Sequence, residues 1–119
     1  MAGPVQRTPL VFYRSEAGRE PVREWLKGLP LEDRHEVGQD LMRAQFRWPV
    51  GMPLVRAMGQ GLHEIRTSLP SGRIARVMVF LCGGELVALH GFIKKTQATP
   101  KADLDIARQR MKEYERWQR

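Results

Sequence analysis

The chain has 119 residues, 42% of them hydrophobic, with 20 Lys and Arg against 13 Asp and Glu, a net charge of +7. That length fits one domain with a modest core, and no apolar run is long enough for a membrane-spanning helix. A single cysteine, Cys82, excludes an internal disulfide, and neither a CxxC spacing nor a Cys/His cluster suggests zinc, so the expected setting is a reducing cytoplasm with no metal or other cofactor.

The charge is uneven. Residues 1–53 carry eight Lys/Arg against seven Asp/Glu, whereas residues 54–119 carry twelve against six. A basic half in a small domain is the electrostatic footprint of a polyanion binder, although many small proteins are basic for solubility alone.

Residues 1–9, with two prolines and no apolar stretch, read as a loose arm rather than a signal peptide, leaving residues 10–119 as one domain. Residues 10–13 (LVFY) form a short apolar run that reads as a strand. Pro21 suits the first turn of a helix through Lys27 that places Val22, Trp25 and Leu26 on one side. Gly28 and Pro30 break it. A second helix follows from Leu31 to about Phe46, with Val37, Leu41 and Ala44 facing the core. Pro49, Gly51 and Pro53 end helical structure.

Residues 61–68 (GLHEIRTS), 73–81 (RIARVMVFL) and 85–93 (ELVALHGFI) read as strands, the last two joined by a turn at Gly83 and Gly84. Thr99 is a candidate cap for a final helix with Pro100 at its first position. Along that helix Leu104, Ala107, Met111 and Tyr114 form the inner stripe, with Arg108, Lys112, Glu115 and Arg119 outside. The predicted architecture is a single α+β domain: an antiparallel sheet, with two N-terminal helices and one C-terminal helix packed on one side or end of it.

Three clusters bear on chemistry. Counting outward from Gly83-Gly84 sets Arg76 opposite Gly91 and Arg73 opposite Lys94, so that Arg76 stands beside open space within an apolar run. A guanidinium there needs either an acidic partner or a groove. In LHEIR, Glu64 and Arg66 alternate onto one face, as a simple ion pair or as a base beside a cation. In HGFIKKTQATP, Lys94, Lys95 and Thr96 follow a strand end and suit phosphate oxygens, while Phe92 suits base stacking. For His90 and Phe92 a place in the core is the alternative.

LHEIR, GRIARVMVF, the glycine turn and, most specifically, HGFIKKTQATP followed by a helix ending near Tyr114 resemble the HigB-like branch of the RelE/ParE toxin superfamily. The resemblance spans roughly residues 10–115. It implies the toxin of a type II toxin–antitoxin pair, a ribosome-dependent mRNA endonuclease that uses no metal. In such enzymes the ribose 2′-hydroxyl attacks the adjacent phosphate, leaving a cyclic phosphate and a free 5′-hydroxyl. The implied partners are mRNA in the ribosomal A site and a cognate antitoxin of helix-turn-helix type.

Carried onto this chain, the resemblance matches Glu64, Arg66 and Arg76, with Lys94 or Lys95 at the end of the following strand. Together with the residue chemistry above, this makes Glu64, Arg66, Arg76, His90 and Lys95 the candidate catalytic residues, and Arg73, Lys94, Thr96 and Phe92 the candidate RNA contacts. Glu64 stands where some members have Lys, so it is either the base or a structural partner of Arg66. The tyrosine that several members use has only Phe92 and Tyr114 as counterparts here, which leaves His90 and Lys95 as the available acids. The same fold also serves gyrase-inhibiting ParE toxins, and a catalytically inactive RNA- or ribosome-binding relative is the remaining alternative.

Overall fold

The structure, a computed structural model, describes residues 7–118. In chain order it contains β1 (Leu10–Phe12), α1 (Pro21–Gly28), α2 (Leu31–Arg47), β2 (Val55–Gly59), β3 (Leu62–Ser68), β4 (Ile74–Cys82), β5 (Glu85–Lys94) and α3 (Lys101–Trp117). The predicted α+β class holds. The strands form one sheet in the order β1-β5-β4-β3-β2.

Two features differ from the expectation. The sheet is mixed, because β1 adds to the edge of β5 in parallel, pairing Leu10 with Leu86 and Phe12 with Ala88. A parallel neighbour needs a long crossover, and everything from α1 to β4 provides it. The helices also cover both faces. Ile65, Ala75, Val77, Val79, Leu86 and Ala88 pack with α1 and α2 around Val22, Val37, Leu41 and Ala44. Leu62, Met78, Phe80, Val87 and Leu89 pack on the other face against Ala107 and Met111 of α3. β4 and β5 read as continuous apolar runs for this reason: alternate residues enter two different cores.

The β4–β5 turn forms as predicted, with Gly83 and Gly84 both at positive φ and Cys82 opposite Glu85. The register then shifts between Met78 and Val79, because Leu89 is an extra residue in β5. This bulge corrects the pairing counted from the turn: Arg76 lies opposite Phe92, and Lys94 lies opposite Ile74. Gly91 does not open space beside Arg76. It faces α1, where a Cβ would come within 2.4 Å of the Trp25 ring. A one-residue slip exchanges the faces of every following side chain, so the bulge brings His90 and Phe92 onto the face that carries Arg76.

At the described end of the predicted arm, Thr8 N donates to Gln45 O (2.9 Å) and Leu86 N to Pro9 O (2.8 Å). Residues 1–6 of that arm, and Arg119 of the predicted outer face of the last helix, lie outside the described residues.

Candidate functional site

The α3-side face of the sheet divides into an apolar half near the glycine turn and an ionic half at the opposite end. Register places Arg56, Glu64, Met78 and His90 in one cross-strand row, and Arg66, Arg76 and Phe92 in the next. Residues 95–100, between β5 and α3, fold over these rows and supply most of their hydrogen-bond partners.

Glu64 is fully buried. Its Oε1 accepts from Arg66 Nη1 at 2.8 Å, and its Oε2 accepts from the Thr99 hydroxyl at 2.7 Å. Thr99 thus serves Glu64 rather than capping α3, whose N-cap is Pro100 with no side-chain cap bond. Arg76, also fully buried, donates through Nη1 to Ala98 O at 3.0 Å and through Nη2 to Thr96 O. Its Nε is buried without a hydrogen-bond partner and lies 3.9 Å from Glu64 Oε1. Burial pushes this guanidinium below its usual range; Glu64 opposes that shift, while the neighbouring Arg66 and Arg56 reinforce it.

Arg66 reaches the surface through a narrow exposure, its side chain 9% accessible, and donates through Nη2 to Gln97 Oε1 at 2.7 Å. Arg56 donates to Gln97 O at 3.3 Å. His90 Nε2 lies 2.7 Å from Asp103 Oδ1, and the imidazole stacks on Phe92 with ring centroids 5.6 Å apart. The other side of this layer is Arg76, whose Cζ is 5.6 Å from the Phe92 centroid. Phe92 is therefore a buried spacer between an arginine and a histidine. Lys94, Lys95 and Thr96 are exposed at the rim.

Of the residues singled out in the sequence, Glu64, Arg66, Arg76, His90 and Phe92 come together, with Lys94, Lys95 and Thr96 beside them. Arg73 does not join them. It donates to Asp33 Oδ2 of α2 at 3.2 Å, and α2 packs on the other face of the sheet. Sequence reasoning missed Arg56, Gln97 and Asp103. Arg56 was hidden because residues 55–59 were not read as a strand. The signal was the Gly59-Gln60-Gly61 turn, all three residues at positive φ, which fits a short hairpin.

Five cations (Arg56, Arg66, Arg76, Lys94 and Lys95) gather here around two carboxylates, Glu64 and Asp103. Such a surplus stabilises added negative charge, which is what a phosphate passing through a pentavalent state requires. Among the described residues, no three His, Cys, Asp or Glu side chains cluster as metal ligands would, and no helix is long and apolar enough to cross a membrane. No curated protein matches this sequence. A family model described as phage derived protein Gp49-like (DUF891) matches residues 24–112, a span that holds both rows of the site. The chain belongs to this phage-derived Gp49-like family, whose members are RelE-like and toxin-like.

Proposed function

We propose that the protein is the HigB-like toxin of a type II toxin–antitoxin pair and cuts mRNA in the ribosomal A site, within the cytoplasm. The observation that carries this reading is the convergence of Glu64, Arg66, Arg76 and His90 on one sheet face, under a basic rim formed by Lys94 and Lys95.

In this scheme Glu64 accepts the 2′-hydroxyl proton and the 2′ oxygen attacks phosphorus. The bond to the 5′ oxygen breaks, and His90 or Lys95 returns a proton to that leaving oxygen. Arg66 and Arg76 hold the charge on the phosphate, while Lys94 and Thr96 position the backbone. Glu64 meets a ribose only once the loop over it opens and Thr99 leaves its Oε2, while Arg66 keeps Oε1. Until then, the Thr96 and Ala98 carbonyls occupy the positions on Arg76 that phosphate oxygens take during the reaction. An antitoxin that keeps this loop closed, or covers the rim, keeps the toxin silent.

The test is induced expression in a bacterial host, wild type beside Arg66→Ala, with growth curves and mapping of mRNA 5′ ends. Arg66 is the better probe than Arg76 because it is not fully buried. Its loss is expected to lower cleavage by roughly 10²–10³ and to relieve growth arrest. Full toxicity in a folded Arg66→Ala protein overturns the assignment. A second reading draws on the burial of Glu64 and Arg76: a gyrase-type toxin that cuts nothing. It predicts arrest with DNA damage and no A-site cuts.

A further inference from the structure

The ionic half of the sheet opens sideways into a groove at the C-terminal end of β3, beyond its last pair with β2, Val55 opposite Ile65. There the C-terminal end of α2 and residues 50–54 lie beside Arg66 and Ser68. Three arginines line it (Arg43, Arg47 and Arg66), and the one acidic lining residue, Asp40, already pairs with Arg43 at 2.6 Å. A basic residue in the last turn complements a helix dipole, which accounts for Arg47 by itself. It does not account for Arg43, one turn earlier, or for Arg66 on a strand, all on the same groove.

The rest of the lining differs in kind. Met52 is 64% exposed on the groove's rim, an apolar surface beside a cationic wall. Single-stranded nucleic acid is held by this combination, cations on the phosphates and apolar or aromatic contact for the bases. The groove is also continuous with the site. Register puts Ser68, Ile74 and Lys94 in one cross-strand row, and adjacent strands lie about 4.8 Å apart. Ser68 at the groove mouth is thus about 10 Å from Lys94, a distance that a short stretch of extended backbone covers.

We infer that this groove is the channel by which single-stranded RNA reaches the site: Arg43 and Arg47 hold phosphates outside it, Met52 receives a base, and Arg66 hands the strand on toward Lys94 and Lys95. The inference rests on the RNA-cutting reading above and adds the path of the substrate to it.

The experiment is fluorescence anisotropy of a short fluorescein-labelled single-stranded RNA with the full chain, between about 50 and 200 mM salt. Wild type is compared with Arg43→Ala/Arg47→Ala, and with Lys112→Ala/Arg116→Ala as a charge-matched control on α3. All four side chains are exposed, so melting curves should show each variant folded. The groove variant is expected to bind about ten-fold more weakly, with a salt slope smaller by about 1.4, the share of two phosphate contacts on a single strand. The control should stay close to wild type. Unchanged affinity and slope in the groove variant, an equal loss in the control, or no RNA binding by wild type overturns the channel. In-cell cleavage separates this from the functional reading. Groove-dependent RNA binding without cuts by the wild type sinks the nuclease and leaves the channel standing; cuts with undiminished RNA binding in the groove variant do the reverse.

Discussion

The two faces of the sheet are built on opposite principles. Facing α1 and α2, the strands present Ile65, Ala75, Val77, Val79, Leu86 and Ala88, an apolar layer that close packing holds. Facing α3, the same strands change character partway along, from Leu62, Met78, Phe80, Val87 and Leu89 to Glu64, Arg66, Arg76 and His90. Buried ion pairs replaced by apolar side chains of similar volume are often as stable or more so. Stability therefore does not explain the ionic half. The proposed function does, through its need for positive charge at that end of the sheet, and the cost is offset by the hydrogen bonds that residues 95–100 contribute.

Isosteric substitutions on each face test this contrast most strongly. Glu64→Gln keeps the shape but removes the charge that balances Arg66 and Arg76, and should destabilise by about 3 kcal/mol or more. Leu86→Met, on the apolar face, conserves volume and should cost less than about 1.5 kcal/mol. Urea denaturation of both variants measures the difference. Equal midpoints would mean that the Glu64 cluster behaves as ordinary packing, and the distinction between the faces would collapse.

A smaller effect is expected where the apolar face is tightest. At Gly91 an added Cβ meets three Trp25 ring atoms between 2.4 and 2.9 Å. Gly91→Ala should therefore lose about 1–3 kcal/mol through overpacking. The double variant Gly91→Ala/Trp25→Phe should lose less than the two single losses combined, since the smaller ring gives way. Strict additivity would show that the contact is relieved by backbone movement instead.

Gly91 also marks where the sequence stopped being legible. Helices α1, α2 and α3, their inner residues and the glycine turn follow from periodicity and turn chemistry, which are local. The bulge at Leu89 is not local. It depends on how two packed cores share β5, and it decided whether His90 and Phe92 would join Arg76 or oppose it. The same holds for Thr99. As a helix cap it was a sound local reading, but a buried carboxylate 35 positions earlier in the chain claims its hydroxyl. Glu64 and Arg66 are legible because strand alternation puts them on one face, and Arg76 because it is a charge inside an apolar run. Counting the register from the turn sets Arg73 opposite Lys94, but the bulge gives that place to Ile74, and Arg73 pairs with Asp33 on the other side of the sheet.

The smallest expected effect probes the apolar half of the α3 face, which should reject the kind of charge that the ionic half holds. Tyr13 is buried there; its hydroxyl donates to Glu113 Oε2 at 2.5 Å, and its ring stacks on Trp117. Burial first, and then the Glu113 carboxylate, push its phenol up to about 12, with Arg110 opposing them. The folded state therefore keeps a proton that the unfolded chain gives up near pH 10. Tyr13's contribution to stability is fully present below about pH 10 and is lost as pH rises through about 12. Tyr13→Phe removes one hydrogen bond, about 1 kcal/mol at neutral pH, and should flatten the decline in stability over that alkaline window. The chain has two tyrosines, and Tyr114 is also raised, chiefly by burial. Phenolate absorbance of the Tyr13→Phe variant therefore reports Tyr114 alone, and the wild-type titration minus that of the variant should be Tyr13's own curve, centred near pH 12. If instead Tyr13 ionises near pH 10 while the protein stays folded, this half of the face tolerates an anion, and the contrast with the Glu64 cluster reduces to which residues happen to be charged.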